Sequence, residues 1–476
     1  MYSEWVSLSE NIKHDTSNRS VLSSFPSSVG TDIVRTLVGS LVENPAESYK
    51  DKFSTSEEVE WIMKVICFGL GLPLSEGETL KGCVTIYLDW LSSLSSQPKQ
   101  EVPKEILRKP NKYCQLILQH FKNLFVPKTE GTLALQASLC LKVLQGVQRI
   151  SHECNKMDEG TLKVLLQFLL SVSDSLLSPP FVPGGLTEQL CSLLIEVLFD
   201  VWLQACVQAF PEPPLWKTLQ EMCCSWRHHT NVVALWNKSV FSITRRVLLV
   251  EYGSSFPLHP LDDKKHEIRI PTTLDNKSLI QSWFRFLHII GNPVDLACKD
   301  IISDTPKFKE HALISSSTHQ PSLHQCLNSL PQNFYAALKG VATLADTLLG
   351  VKCTCETPVM FNLISPNSSK LGSFVSKNED RKRGATAAST DQLSHYTRDV
   401  ERKHSARLEH RPSGLFDKVL GGQTDASMPT ENSILHLLGP WLFETALVHV
   451  DMESTKNKLS KIWQNSSANN DKRLDN

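Results

Sequence analysis

The sequence predicts an all-α fold made of helix pairs stacked in a row. Three observations carry that prediction. Apolar residues recur along most of the chain at the spacing of one helical face. Proline and glycine breakers separate these runs. No stretch alternates apolar and polar residues between hairpin turns, as a sheet would require. The composition fits a core-forming chain, with 476 residues of which 41% are hydrophobic and 21% charged. That length allows roughly three domains or one long array. With 49 basic and 50 acidic residues the formal charge is −1, so no sequence-wide attraction for phosphate backbones exists. Nucleic acid is therefore not an expected partner.

The elements follow in order. Residues 1–56 read as a polar lead-in. In Glu57–Leu70, Val59, Ile62, Met63, Ile66, Cys67 and Leu70 share one helical face. Glu78–Leu94 continues the pattern. Pro110–Phe125 opens at a proline, sets Tyr113, Leu116, Ile117, His120, Phe121 and Leu124 on one side, and is stopped by Pro127. Thr132–Ile150, Glu159–Leu177, Leu186–Phe210, Leu215–Trp226, Asn231–Val250 and Lys277–Ile290 read the same way. Between them lie Leu72-Pro73, Ser178-Pro179-Pro180, Pro183-Gly184-Gly185 and Pro211-Glu212-Pro213-Pro214. Leu186–Phe210 carries a second apolar stripe that includes Leu193, Ile195, Leu198, Phe199 and Trp202, so it needs neighbours on two sides. Stacked helix pairs supply them. The starts of alternate helices near 57, 110, 159 and 214 lie 53, 49 and 55 residues apart. That is a little longer than the ~40–47 residues of HEAT and armadillo units, and no consensus repeat links them. The expected architecture is an irregular HEAT/armadillo-like α-solenoid over 57–350.

Tyr252–Asn276 reads as an ordered loop and Gln332–Leu349 as a further helix. From 357 to 430 large apolar residues thin out while Ser, Lys and Arg accumulate, so a disordered linker is expected there. Ile434, Leu437, Leu438, Trp441 and Leu442 give a helical segment over 432–450, with a break expected at Pro440. Residues 451–476 read as a disordered tail.

No basic region followed by an apolar stretch opens the chain, so no secretory signal is expected. The apolar windows Leu162–Val172 and Leu190–Leu203 are too short to cross ~30 Å of hydrocarbon, and no membrane span is expected. The cysteines number 13, and most sit singly inside apolar runs, as reduced buried cysteines do. These features together point to the cytoplasm.

The chemical constellations are sparse. Cys223-Cys224 and His228-His229 are metal-ligand types, but one pair is adjacent and no second pair stands at finger spacing. The expectation is a helix end whose imidazoles cap carbonyls or pack beside Trp226. Cys353-Thr354-Cys355 lacks the spacer of a redox or zinc pair. No phosphate-binding glycine loop and no nucleophile elbow occur. Trp283-Phe284-Arg285-Phe286-Leu287-His288 could anchor a partner, but at helical spacing it reads as core. Arg383-Gly384-Ala385-Thr386 and Arg402-Lys403-His404-Ser405 place hydroxyls where a basophilic kinase could act. No catalytic, cofactor-binding or metal residue is assigned and no cofactor is expected.

Read as strings, MYSEWVSL (Met1–Leu8), VEWIMKVICFGLGLPL (Val59–Leu74), NLFVP (Asn123–Pro127), VLFDVWLQAC (Val197–Cys206), SWRHHTNVVALW (Ser225–Trp236), QSWFRFLHIIGNPVDL (Gln281–Leu296) and NSILHLLGPWLFETALVH (Asn432–His449) share a further property. Together and in this order they resemble the N-terminal region of the tuberin-like, non-catalytic beta-subunit family of Ral GTPase-activating complexes. The resemblance implies a long helical protein that pairs with a catalytic alpha subunit, through which Ral-type small GTPases are its indirect partners. It implies that the GAP domain lies outside this chain, which would be a truncated member, and that no catalytic residue carries over. The other reading is a helical-repeat scaffold or adaptor in vesicle traffic without GAP activity.

Overall fold

Some helices begin where the chain offers a side-chain partner for their free N–H groups. Thr55 accepts from the Glu58 N–H at 3.3 Å while the Glu58 carboxylate accepts from the Thr55 N–H at 3.0 Å. This reciprocal cap opens α2, Ser56–Leu70. Asp158 caps α7, Glu159–Leu177, through the Thr161 N–H at 2.7 Å. Prolines in the first turn open α5, Pro110–Phe121, and α9, Pro213–Trp226, where a missing N–H costs nothing.

The computed structural model describes residues 2, 5–9, 12, 20–43, 53–99, 102–128, 133–154, 157–180, 184–256, 268–315, 321–351 and 431–446. The remaining elements are α1 (Ser27–Glu43), α3 (Gly77–Leu91), α4 (Lys104–Arg108), α6 (Leu133–Glu153), α8 (Leu186–Gln208), α10 (Thr230–Tyr252), α11 (Asn276–Leu287), α12 (Lys299–Ser303), α13 (Pro306–Ser315), α14 (Leu330–Leu348) and α15 (Glu431–Ala446). Among the described residues there is no strand, only an isolated bridge between Ser95 and Cys154. The fold is all-α, as expected.

Two rows of helices run side by side. In one, α2 packs on α5, α5 on α7 and α7 on α9. In the other, α3 packs on α6, α6 on α8, α8 on α10 and α10 on α14. The core lies between the rows. Trp90, Trp202, Trp216, Trp226, Trp236 and Trp283 are its largest fully buried side chains. The two-sided α8 meets α6, α7, α10 and α11, which explains its wide apolar surface. Helix pairs begin at Ser56, Pro110, Glu159 and Pro213, close to the expected starts.

Four expectations need correction. The stretch read as a polar lead-in contains α1, whose Val34, Val38 and Leu41 are buried and which packs on α2 and α3. Serines and glycines dilute its stripe, which hides it from a periodicity count. Short helices α4, α12 and α13 were not expected, being too brief or too polar to register. The helix at α15 runs through Pro440 without a break. Finally, α7 and α8 are long and apolar enough to cross a bilayer by length and composition, so shortness does not exclude that. Their neighbours bury 67% of each apolar window, which makes them core helices here.

The linker expected at 357–430, the tail at 451–476, the Cys353-Thr354-Cys355 pair and both kinase-type strings lie outside the described residues.

Candidate interaction site: the junction of α9, α10, α11 and α14

The chain gathers its most distant segments at the turn between α9 and α10. Arg227, at the end of α9, is only 4% exposed, and such a cation needs partners on every side. Its Nε donates to the Cys224 carbonyl at 3.0 Å, which caps its own helix. Its Nη1 donates to the Ile290 carbonyl at 2.9 Å and meets the Asp295 carboxylate at 3.2 Å. Asn333 of α14 donates its amide to the carbonyls of Arg227 and His228, at 3.2 and 3.0 Å. Asn292 in turn donates to the Glu444 carboxylate of α15 at 2.9 Å.

Gly291 makes the approach possible. Its φ is +72°, which side chains other than glycine rarely adopt. An added Cβ would also stand 3.2 Å from Cys224 Sγ and 3.3 Å from Arg227 Nη1.

The histidine pair beside Arg227 is occupied as its capping reading expects. His229 donates from Nε2 to the Leu177 carbonyl at 2.9 Å, and His228 donates from Nδ1 to the Ser225 carbonyl at 3.2 Å. Burial lowers the His229 pKa to about 4 and pushes His228 well below its ordinary value. Both rings are thus neutral near pH 7. Trp226 instead donates its indole N–H to Ser178 at 3.0 Å. Cys223 is buried beneath, with its thiol pushed far above the ordinary range by desolvation. Among the described residues no three His, Cys, Asp or Glu side chains are placed to hold a metal ion. Burial also raises Cys83, Cys114, Cys140, Cys191 and Cys206 to about 12, so these thiols are poor nucleophiles.

The aromatic string of α11 divides by face. Trp283, Phe284, Phe286 and Leu287 are buried, as the core reading expects. Phe286 meets Phe199 and Trp216 edge-on, at 5.3 and 5.7 Å between ring centroids. Arg285 stands at the edge of this cluster. Its guanidinium lies 4.7 Å from the Phe210 ring, 5.4 Å from Trp216 and 5.5 Å from Trp5. The first residues of the chain reach the same place, where the Tyr2 hydroxyl donates to the Arg285 carbonyl at 3.2 Å and the Leu8 N–H donates to Thr218 at 2.9 Å.

Sequence reasoning did not single out Arg227, Asn292 or Asn333. The available signal was a polar residue on an apolar stripe, as Asn333 is between Leu330, Phe334 and Ala337. What unites the junction is that segments of five resemblance strings meet in it: those holding Tyr2, Phe199, Arg227, Arg285 and Glu444.

Comparison with known proteins bears on those strings directly. The chain is 40% identical over 478 residues to the Ral GTPase-activating protein subunit beta of Homo sapiens, covering 97% of this chain and 32% of that protein. The Rattus norvegicus beta subunit matches with the same identity and the same coverage. The chain resembles the Ral GTPase-activating protein beta subunit along nearly its whole length. It spans about a third of the length of these curated relatives. Residues 132–254 match the family model described as the RALGAPB N-terminal domain, a span that takes in α6 to α10. The Ral GTPase-activating protein subunit alpha-2 of Rattus norvegicus is 24% identical over 163 residues, 32% of this chain and 9% of that protein. No solved structure matches the chain.

Proposed function

We propose that this chain is a non-catalytic, partner-binding part of a Ral GTPase-activating complex, and that it binds and supports a catalytic alpha subunit. The observation that carries this reading is the 40% identity to beta subunits over 97% of the chain. The chemistry of the described residues agrees with a binding role. At the junction Arg227, His229 and Asn333 spend N–H groups on carbonyls, and the buried thiols are protonated. Helix faces of a two-row array offer broad, rigid surface for another protein. GTP hydrolysis is then supplied by the partner, with Ral-type GTPases as indirect partners. A cytoplasmic setting belongs to the same reading.

Co-purification with an alpha subunit tests it, with Ral-bound GTP hydrolysis followed with and without this chain. The expected result is a stable complex that hydrolyses GTP faster than the alpha subunit alone. Failure to associate, with both chains shown to be folded, would overturn the reading.

A further inference from the structure

The guanidinium of Arg285 is the feature of the fold that its surroundings explain least. It is half-buried and stacked among Phe210, Trp216 and Trp5, at 4.7, 5.4 and 5.5 Å. Aromatic faces hold a cation from above and below but leave the N–H edge free. Among the described residues no carboxylate pairs with that edge. Nη1 has one long contact, 3.4 Å to the Gln281 amide oxygen, and the buried Nε has no partner. The carboxylates of the neighbouring α9 are engaged elsewhere: Glu212 with Lys163 at 2.8 Å, and Glu221 with Lys217 at 3.3 Å and the Ser7 hydroxyl. Burial pulls the Arg285 pKa below its ordinary value, as befits a cation without a counter-ion. An unpaired, partly desolvated guanidinium favours any anion that can reach it.

We infer that the guanidinium of Arg285, half-buried and without a carboxylate partner among the described residues, is a binding site for a carboxylate, with Trp5, Phe210 and Trp216 forming its walls. A single guanidinium charge matches a monoanion better than a phosphate dianion. The planar fork of guanidinium N–H groups fits the two oxygens of a carboxylate. The carboxylate can come from a small free acid or from an acidic side chain of another protein. The inference does not rest on the subunit reading, since a free acid needs no partner.

Phenylglyoxal modification of the whole wild-type chain, read by mass spectrometry at Arg285, tests the inference without any substitution. Arg285 is expected to react, and to be protected by sodium acetate, or by an acetylated glutamate-rich peptide, but not by sodium chloride at equal ionic strength. Protection by acetate assigns the site to free acids, and protection by the peptide alone assigns it to acidic protein segments. No reaction at Arg285, or equal protection by chloride, overturns it. Thermal melts add a second measurement. Acetate over chloride should raise the midpoint of wild type and Arg285→Lys but not of Arg285→Met. Trp5→Ala, which returns water to the guanidinium, should weaken the acetate effect several-fold. A shift of equal size in all four proteins would sink the inference even where labelling is ambiguous.

Discussion

Trp202 shows how a single residue couples pattern to stability. It is 0% exposed and meets Trp216 edge-on with ring centroids 5.3 Å apart. Trp202→Ala should cost about 3–5 kcal/mol, read as a shift in the urea midpoint at unchanged slope. The buried histidines set a pH dependence. The Tyr87 hydroxyl donates to the Met63 carbonyl at 2.9 Å, so His120 Nδ1–H donates to the Tyr87 oxygen at 2.7 Å. Burial lowers His120, His229 and His288 to about 4, from an ordinary 6.5. Between those values the unfolded chain binds more protons than the folded one. Their contribution to stability is therefore complete above pH 6.5 and is lost as the pH falls toward 4. Urea melts between pH 7 and 5 should lose stability, and His120→Gln should flatten that slope. An unchanged slope would show that His120 titrates alike in both states.

At the scale of elements, contact between helices depends on small residues at crossings. Gly69 of α2 lies where α1 and α3 converge, and an added Cβ would stand 2.5 Å from Cys83 Sγ and 2.8 Å from Val34 Cγ1. Both neighbours are buried and short, so neither can swing aside. Gly69→Ala should thus destabilise by about 1–3 kcal/mol from overpacking, before the ~1 kcal/mol that alanine returns in helix propensity. Cys83→Ala in the same chain should restore most of the loss, and a double-mutant cycle in urea measures the coupling. Strictly additive effects would mean that the crossing has room. Helices with dense stripes were legible to within a few residues; Glu159–Leu177 coincides at both ends. The ones that were missed, α1, α4, α12 and α13, are diluted by serine or are shorter than the window that periodicity needs.

For the whole molecule, the junction joins segments hundreds of residues apart. Arg227→Met removes bonds to Ile290 and Cys224 and frees Asp295, which is 29% exposed and can be hydrated. The expected loss is about 1–3 kcal/mol. In a row of helix pairs each unit depends mainly on its neighbours. Amide exchange should therefore accelerate in 289–296, α14 and α15 while α2 and α3 keep their protection. Uniform acceleration along the chain would instead describe one cooperative block.

By itself the sequence determined the helical class, the approximate bounds of the longer helices and the core face of each, because a 3.6-residue period is local and survives in any environment. The strings it contains also carried the resemblance to Ral GTPase-activating beta subunits. Tertiary structure alone decided that Arg227 and Asn333 tie distant segments together and that the Arg285 guanidinium lies among three aromatic rings. Those roles depend on which segments meet, and partners 60 to 280 residues away leave no period in a one-dimensional pattern.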